Sequence, residues 1–145
     1  MARTEKVVAD ASVVVKWYNL EAETEEALKL RDDYAARRIE LTAPFLITYE
    51  VANALRYNPD FGAENVKSAV KDLMDMQMNL QLPDEPQAQR AVELAFKYGI
   101  TFYDATYLSL AETEGIKLYT ADGRLIAKVP DQTIRHIRDY KRSPP

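Results

Sequence analysis

Asp10, Glu50, Asp104 and Asp122 each stand beside an apolar run, in the contexts VVADASVVVKW, FLITYEVANAL, YGITFYDATYLSLAE and KLYTADGRL. A carboxylate in such company is costly to desolvate unless something compensates its charge. Four that converged would repel one another and raise each other's pKa unless cations held them. The economical chemistry for such a set is divalent-metal binding, and metal-bound carboxylates commonly act on phosphate esters.

Taken singly, each acid has a plainer reading. Asp10 and Asp104 have the side chain of a helix cap. Asp122, before Gly123, is an ordinary turn residue. Glu50 resists dismissal more firmly. Phe45, Leu46, Ile47, Tyr49, Val51, Ala52, Ala54 and Leu55 surround it, which leaves little of its helix to face water. A buried glutamate needs an Arg or Lys partner or a metal, and Arg56 falls on a different helical face.

The elements that must position these acids alternate along the chain. Lys6 to Ala9 reads as a short buried strand ending at Asp10, and Val13 to Tyr18 as an apolar turn or short helix. Glu21 to Arg38 is amphipathic at helical spacing, with Ala27, Leu28, Arg31, Tyr34 and Ala35 recurring. Ile39 to Ala43 is a second strand closed by Pro44, and Phe45 to Tyr57 a helix stopped by Asn58-Pro59. Phe61 to Leu80 reads as one long helix or two joined pieces. Pro83 and Pro86 bracket a connection, Glu85 to Tyr98 is a further helix, and Gly99 suits the position beyond its end.

Ile100-Thr101 reads as a short strand or a loop. Asp104 begins a helix to about Glu114, Ile116 to Thr120 is a strand, and Asp122-Gly123 turns into a brief helix. Thr133 to Ile137 is a last edge strand, and a loose tail follows from about residue 139. Strands alternating with helices imply parallel pairing through right-handed crossovers. The expected fold is therefore a three-layer α/β/α sandwich on a mainly parallel sheet, one domain over 1–145. In such sheets sites form outside the carboxyl ends of the strands. Asp10 and Asp122 follow strands, and Glu50 and Asp104 enter helices that begin on that same side.

Composition excludes several alternatives. The chain of 145 residues is 47% hydrophobic and 29% charged, the balance of an ordinary globular protein. Acids outnumber bases 23 to 19, for a formal charge of −4, which argues against coating nucleic acid by global positive charge. The absence of cysteine removes disulfides, zinc-thiolate sites and thiol catalysis together. One histidine, His136, rules out a site built from several imidazoles and reads as a solvated residue near the C-terminus. MARTEKVVAD holds no signal-peptide core, and no stretch reaches transmembrane length; a cytoplasmic location is the default expectation.

VVADASVVV, TYEVANAL, YDATYLSLAE and LYTADGRL together resemble the PIN domain, particularly the VapC-type toxins of prokaryotic toxin–antitoxin modules. The resemblance runs from about Lys6 to Ile137, and the third motif with the fourth at its distance is the specific part. It implies a metal-dependent endoribonuclease in which Asp10, Glu50, Asp104 and Asp122 bind one or two Mg²⁺ or Mn²⁺ ions. Ser12 and Thr120 match the hydroxyl positions beside the first and last acids, and Asn53 lies one helical turn after Glu50. For these three, capping or hydrogen bonding to the acids is as compatible with their chemistry as direct contact with the ion. The resemblance further implies an RNA substrate, a small antitoxin received by the 61–80 region, and a homodimer or higher homo-oligomer. Alternatives within the fold are an RNA-processing nuclease outside such a module and a non-catalytic binding module.

Weaker features have structural readings. Met74, Met76 and Met78 suit core packing or an adaptable partner surface. Arg135, Arg138, Lys141 and Arg142 form a basic C-terminal stripe, either a solvated tail or a contact for RNA backbone. Two rival α/β proteins fit poorly. A phosphoryl-switch receiver needs paired acids after its first strand, where Asp10 is preceded by Ala9. A haloacid-dehalogenase-like phosphatase needs an aspartate two positions after Asp10, where Ser12 stands.

Overall fold

The computed structural model describes residues 4–141. Five strands form one sheet: β1 (Glu5–Ala9), β2 (Ile39–Pro44), β3 (Asn79–Gln81), β4 (Lys117–Thr120) and β5 (Ile134–His136). Their spatial order is β3-β2-β1-β4-β5, and every pairing is parallel. Seven α-helices connect them: α1 (Ala11–Val14), α2 (Thr24–Ala35), α3 (Leu46–Arg56), α4 (Ala63–Asp75), α5 (Glu85–Tyr98), α6 (Phe102–Glu114) and α7 (Gly123–Lys128). Right-handed crossovers place α1 to α4 on one face and α5 to α7 on the other, which is the expected three-layer α/β/α sandwich. Among the described residues no helix is long and apolar enough to cross a membrane.

The order has one reversal. The chain runs outward from β1 through β2 to β3, then returns to lay β4 on the other side of β1. The central strand must therefore be apolar on both faces, and Val7, Val8 and Ala9 are all buried. Leu41, Leu118, Ile47, Leu55, Leu94, Tyr107 and Leu108 complete the core around it. The crevice at a reversal, beyond the carboxyl ends of the two diverging strands, is where ligands sit in such sheets. Here those strands are β1 and β4, whose next residues lead to Asp10 and Asp122.

The expected 61–80 helix is shorter than its apolar spacing implied. It ends at Asp75, Gln77 takes a left-handed φ of 51°, and Asn79–Gln81 pair with β2 as an edge strand. Thr42 Oγ1 donates to the Asn79 carbonyl at 2.9 Å and fixes that register. A three-residue strand is too short to show alternation, so it carried no periodic signal. The methionines divide accordingly: Met78 is in the core, while Met74 is exposed. Ile100-Thr101 is a loop, with Thr101 serving as the N-cap of α6.

His136 is buried, not solvated, and its Nδ1 accepts the Arg138 backbone N–H at 3.1 Å. The segment beyond β5 is likewise anchored later than expected. Ile137–Asp139 form a 3₁₀ turn, and Tyr140 is buried. Its hydroxyl donates to Asp33 Oδ2, while Arg38 holds Asp33 Oδ1 at 3.2 Å. Arg142 and the rest of the tail lie outside the described residues. Removing the donor from a buried carboxylate costs about 1–3 kcal/mol. Tyr140→Phe is therefore expected to lower stability by that amount in urea unfolding; no change would show that the clamp is energetically idle.

Candidate active site

Asp10 is the most enclosed of the four acids. β1 ends at Ala9, and the Asp10 backbone N–H still donates to the Tyr119 carbonyl of β4 at 3.1 Å. The side chain then caps α1, accepting the Ser12 backbone N–H at 3.0 Å and the Ser12 hydroxyl as well. Ser12 Oγ also accepts the Ala121 N–H at 2.8 Å and lies 3.3 Å from Thr120 Oγ1. Thr120 Oγ1 in turn accepts the Asp122 N–H at 3.0 Å. Two hydroxyls thus tie the loop after β1 to the loop after β4. Ser12 and Thr120 hold acids in place by this geometry.

The other acids come from helix ends and faces. Asp122 caps α7, accepting the N–H groups of Arg124 at 2.9 Å and Leu125 at 3.3 Å. Asp104 sits in the first turn of α6 but does not cap it. The cap is Thr101, whose hydroxyl accepts the Asp104 N–H at 3.0 Å and frees the carboxylate for the cleft. Glu50, half-buried on α3, accepts the Tyr107 hydroxyl at 2.7 Å. The expectation that its helix faces little water does not hold: Phe45, Tyr49 and Tyr57 are all exposed. Only one stripe of α3, through Ile47, Val51 and Leu55, enters the core. Asn53, one turn beyond Glu50, is solvent-exposed.

Electrostatics tie the four together through Asp104. Burial raises Asp10 from 3.8 to about 6, against hydrogen bonds from Ser12 and Thr120, and the Asp104 charge pushes the same way. Burial raises Glu50 too, opposed by the Tyr107 hydrogen bond and reinforced by Asp104. Asp104 itself is raised by burial, opposed by its Thr101 hydrogen bond, raised further by Asp122, and partly relieved by Lys128. Asp104 thus senses each of the other three. Among the described residues Lys128 offsets Asp104, while no cation is seen to lower Asp10 or Glu50.

The donors suit a hard divalent cation, being carboxylate and hydroxyl oxygens without thiolate or imidazole. Among the described residues no three Asp, Glu or His side chains close into a ready-made cage. Two relevant residues escape a search for acids. Tyr107 is buried, but its place three residues after Asp104 on α6 puts both on one face. Lys128 comes from the far end of α7, where only folding brings it towards Asp104.

An α/β sheet whose acids collect at its topological switch point defines a class of carboxylate-lined sites. Residues 7–131 match the PIN domain family, and this chain belongs to it. Ribonuclease VapC3 of Pyrobaculum aerophilum is 33% identical over 129 residues, spanning 86% of this chain and 95% of that one. Exonuclease VapC9 of the same organism is 31% identical over 97 residues, spanning 67% and 73%. The fold matches a toxin–antitoxin complex from Klebsiella pneumoniae with a TM-score of 0.67 at 17% identity, covering 90% of this chain and 97% of that one. The sheet order is also unlike that of a receiver domain, where the third strand lies beside the first.

The raised acids have a consequence for stability. With a folded value of about 6 against 3.8, Asp10 favours the folded state fully below 3.8. That contribution, about 3 kcal/mol, disappears as pH rises through 6. Asp10→Asn, which keeps the Ser12 contacts, is expected to stabilise the ion-free protein by about 1–3 kcal/mol at pH 8 and by little at pH 4. Urea unfolding of both proteins at the two pH values decides it; an equal difference at each would remove the role of ionisation.

Proposed function

We propose that this chain is an endoribonuclease that hydrolyses RNA phosphodiester bonds with Mg²⁺ or Mn²⁺, one ion or two, and acts in the cytoplasm as the toxin of a toxin–antitoxin pair. The observation that carries this reading is the electrostatic coupling of Asp104 to Asp10, Glu50 and Asp122, on elements that begin beside the β1/β4 switch point. Membership of the PIN family supports it, as do relatives named ribonucleases.

Asp10, Glu50, Asp104 and Asp122 would hold the metal. When bound, the ion would acidify an attacking water and neutralise charge on the phosphate. The chain's own residues set the stage for this. Ser12 and Thr120 fix Asp10 at the strand end, where it has least freedom. Thr101 takes over the capping role and leaves the Asp104 carboxylate available. Glu50 and Asp122, each held on one oxygen, are placed to bind directly or through water and to orient the nucleophile. Lys128 is the cation that offsets Asp104 and is available to a phosphate beside it.

Asp104→Asn is expected to abolish cleavage while leaving the fold intact, and a chelator to stop the wild-type protein. A circular RNA substrate separates the endonucleolytic reading from an exonucleolytic one, since it has no ends. Unchanged cleavage by Asp104→Asn would sink the assignment, and an uncut circle would sink the endonuclease.

Two surfaces support partners. α3 and α4 enclose a groove of ≈ 870 Å³ with an apolar floor of Phe61, Val66, Val70 and Met74, bordered by Arg56 and Lys67. Such a groove suits an antitoxin segment with apolar anchors and acidic flanks. A second patch, with Phe45, Tyr49, Leu82, Phe102 and Tyr103 exposed together, suits a second copy of the chain. Co-expression with the neighbouring open reading frame should give a complex, and Met74→Glu should weaken it at least about tenfold. Light scattering of the chain alone should give a multiple of 16.5 kDa. A lone, monomeric chain in both experiments would count against both partners.

A further inference from the structure

We infer that Tyr107 is a positioning residue for the site: its hydroxyl fixes one oxygen of Glu50 and leaves the other free of that bond, available to a metal ion that the site would hold. This rests on the metal-binding reading proposed above. The geometry is specific. Tyr107 is 1% exposed, so its ring is locked in the core and cannot swing. Its hydroxyl is the one polar atom of that side chain, and it reaches Glu50 Oε1 at 2.7 Å across 57 residues of sequence. A phenol buried to this extent needs a partner.

The direction of the bond is fixed as well. A phenol, with an ordinary pKa of about 10, carries its proton at neutral pH. An ionised carboxylate can only accept. Tyr107 therefore donates to the ionised Glu50 carboxylate, the form that can bind a cation. Asp104 and Tyr107, one turn apart on α6, thus divide the labour. One supplies a carboxylate to the cleft, and the other aims the carboxylate supplied by α3. Without the hydroxyl, Glu50 is a flexible, partly exposed side chain whose rotamers would have to be ordered on binding.

Groups that orient metal ligands typically contribute 10–100-fold to metal affinity. Tyr107→Phe removes only the hydroxyl. It should weaken Mn²⁺ binding by about that factor in calorimetric titration or by electron paramagnetic resonance, with the unfolding temperature close to that of the wild type. The discriminating comparison uses Glu50→Gln. If Tyr107 acts through Glu50, adding Tyr107→Phe to Glu50→Gln should cause no further loss. Losses that multiply, or a Tyr107→Phe protein with wild-type affinity, would overturn the inference.

A second readout needs no substitution at Tyr107. In protein labelled at tyrosine Cζ, the Tyr107 carbon resonance should shift during a Mg²⁺ titration with the midpoint of metal binding, and Glu50→Gln should abolish the shift. A resonance indifferent to Mg²⁺ in a protein that binds it would reject the role of Tyr107 alone. A wild-type protein that binds neither ion would reject the metal reading and this inference together.

Discussion

Mutual repulsion among carboxylates at the end of a buried sheet is the constraint around which this molecule is arranged. Water would solvate the four acids cheaply, but the fold buries Asp10, leaves the other three partly buried and lets Asp104 feel each of the others. Such an arrangement survives only if every acid is held by something other than the charge it lacks. The holders are modest neutral donors: the hydroxyls of Ser12, Thr120, Thr101 and Tyr107, and the free N–H groups at the start of α7. None of these holders brings a full positive charge; Lys128 is the cation that partly relieves Asp104.

The sheet order explains why these donors are within reach. Because β4 lies directly beside β1, the loops leaving both strands emerge side by side, and a single serine hydroxyl spans them. The remaining acids need a different device, since α3 and α6 begin elsewhere along the edge. Tyr107 supplies it by reaching from one helix to the other. The site is therefore held by short bonds between elements distant in sequence, and the rigidity of the buried sheet is what keeps those bonds in register.

Much of this was legible in the sequence, and the failures are instructive. The helix at Glu85–Tyr98 was legible because Gly99, left-handed at φ 65°, marks its stop, whereas the Asp84–Gln87 capping box at its start emerges from the structure. The four acids stand out because each interrupts an apolar run, and electrostatics couple Asp104 to each of the others. β3 was not, since three residues at an edge carry no periodicity and the apolar spacing of α4 runs on into them. Glu50 stands out for a reason the structure bears out only in part: helix α3 is apolar on two faces, and its outer aromatics face solvent. His136 and Tyr140 looked like tail residues because burial by a partner more than a hundred positions away leaves no local trace. Tyr107 was passed over for a related reason, as nothing beside it announces a carboxylate 57 residues upstream.

The Ser12 and Tyr140 contacts share a property beyond their part in packing. Ser12 meets Ala121 across 109 residues, and Tyr140 meets Asp33 across 107. Chains emerge from the ribosome with the N-terminal end first, so β1 is made early and then waits for its neighbour on one side. Until β4 and α7 have emerged, Asp10 has no Thr120 to steady it and Asp122 is missing altogether. A nascent chain thus lacks one side of the acidic cluster until the segment from β4 to α7 has been made and closes onto β1.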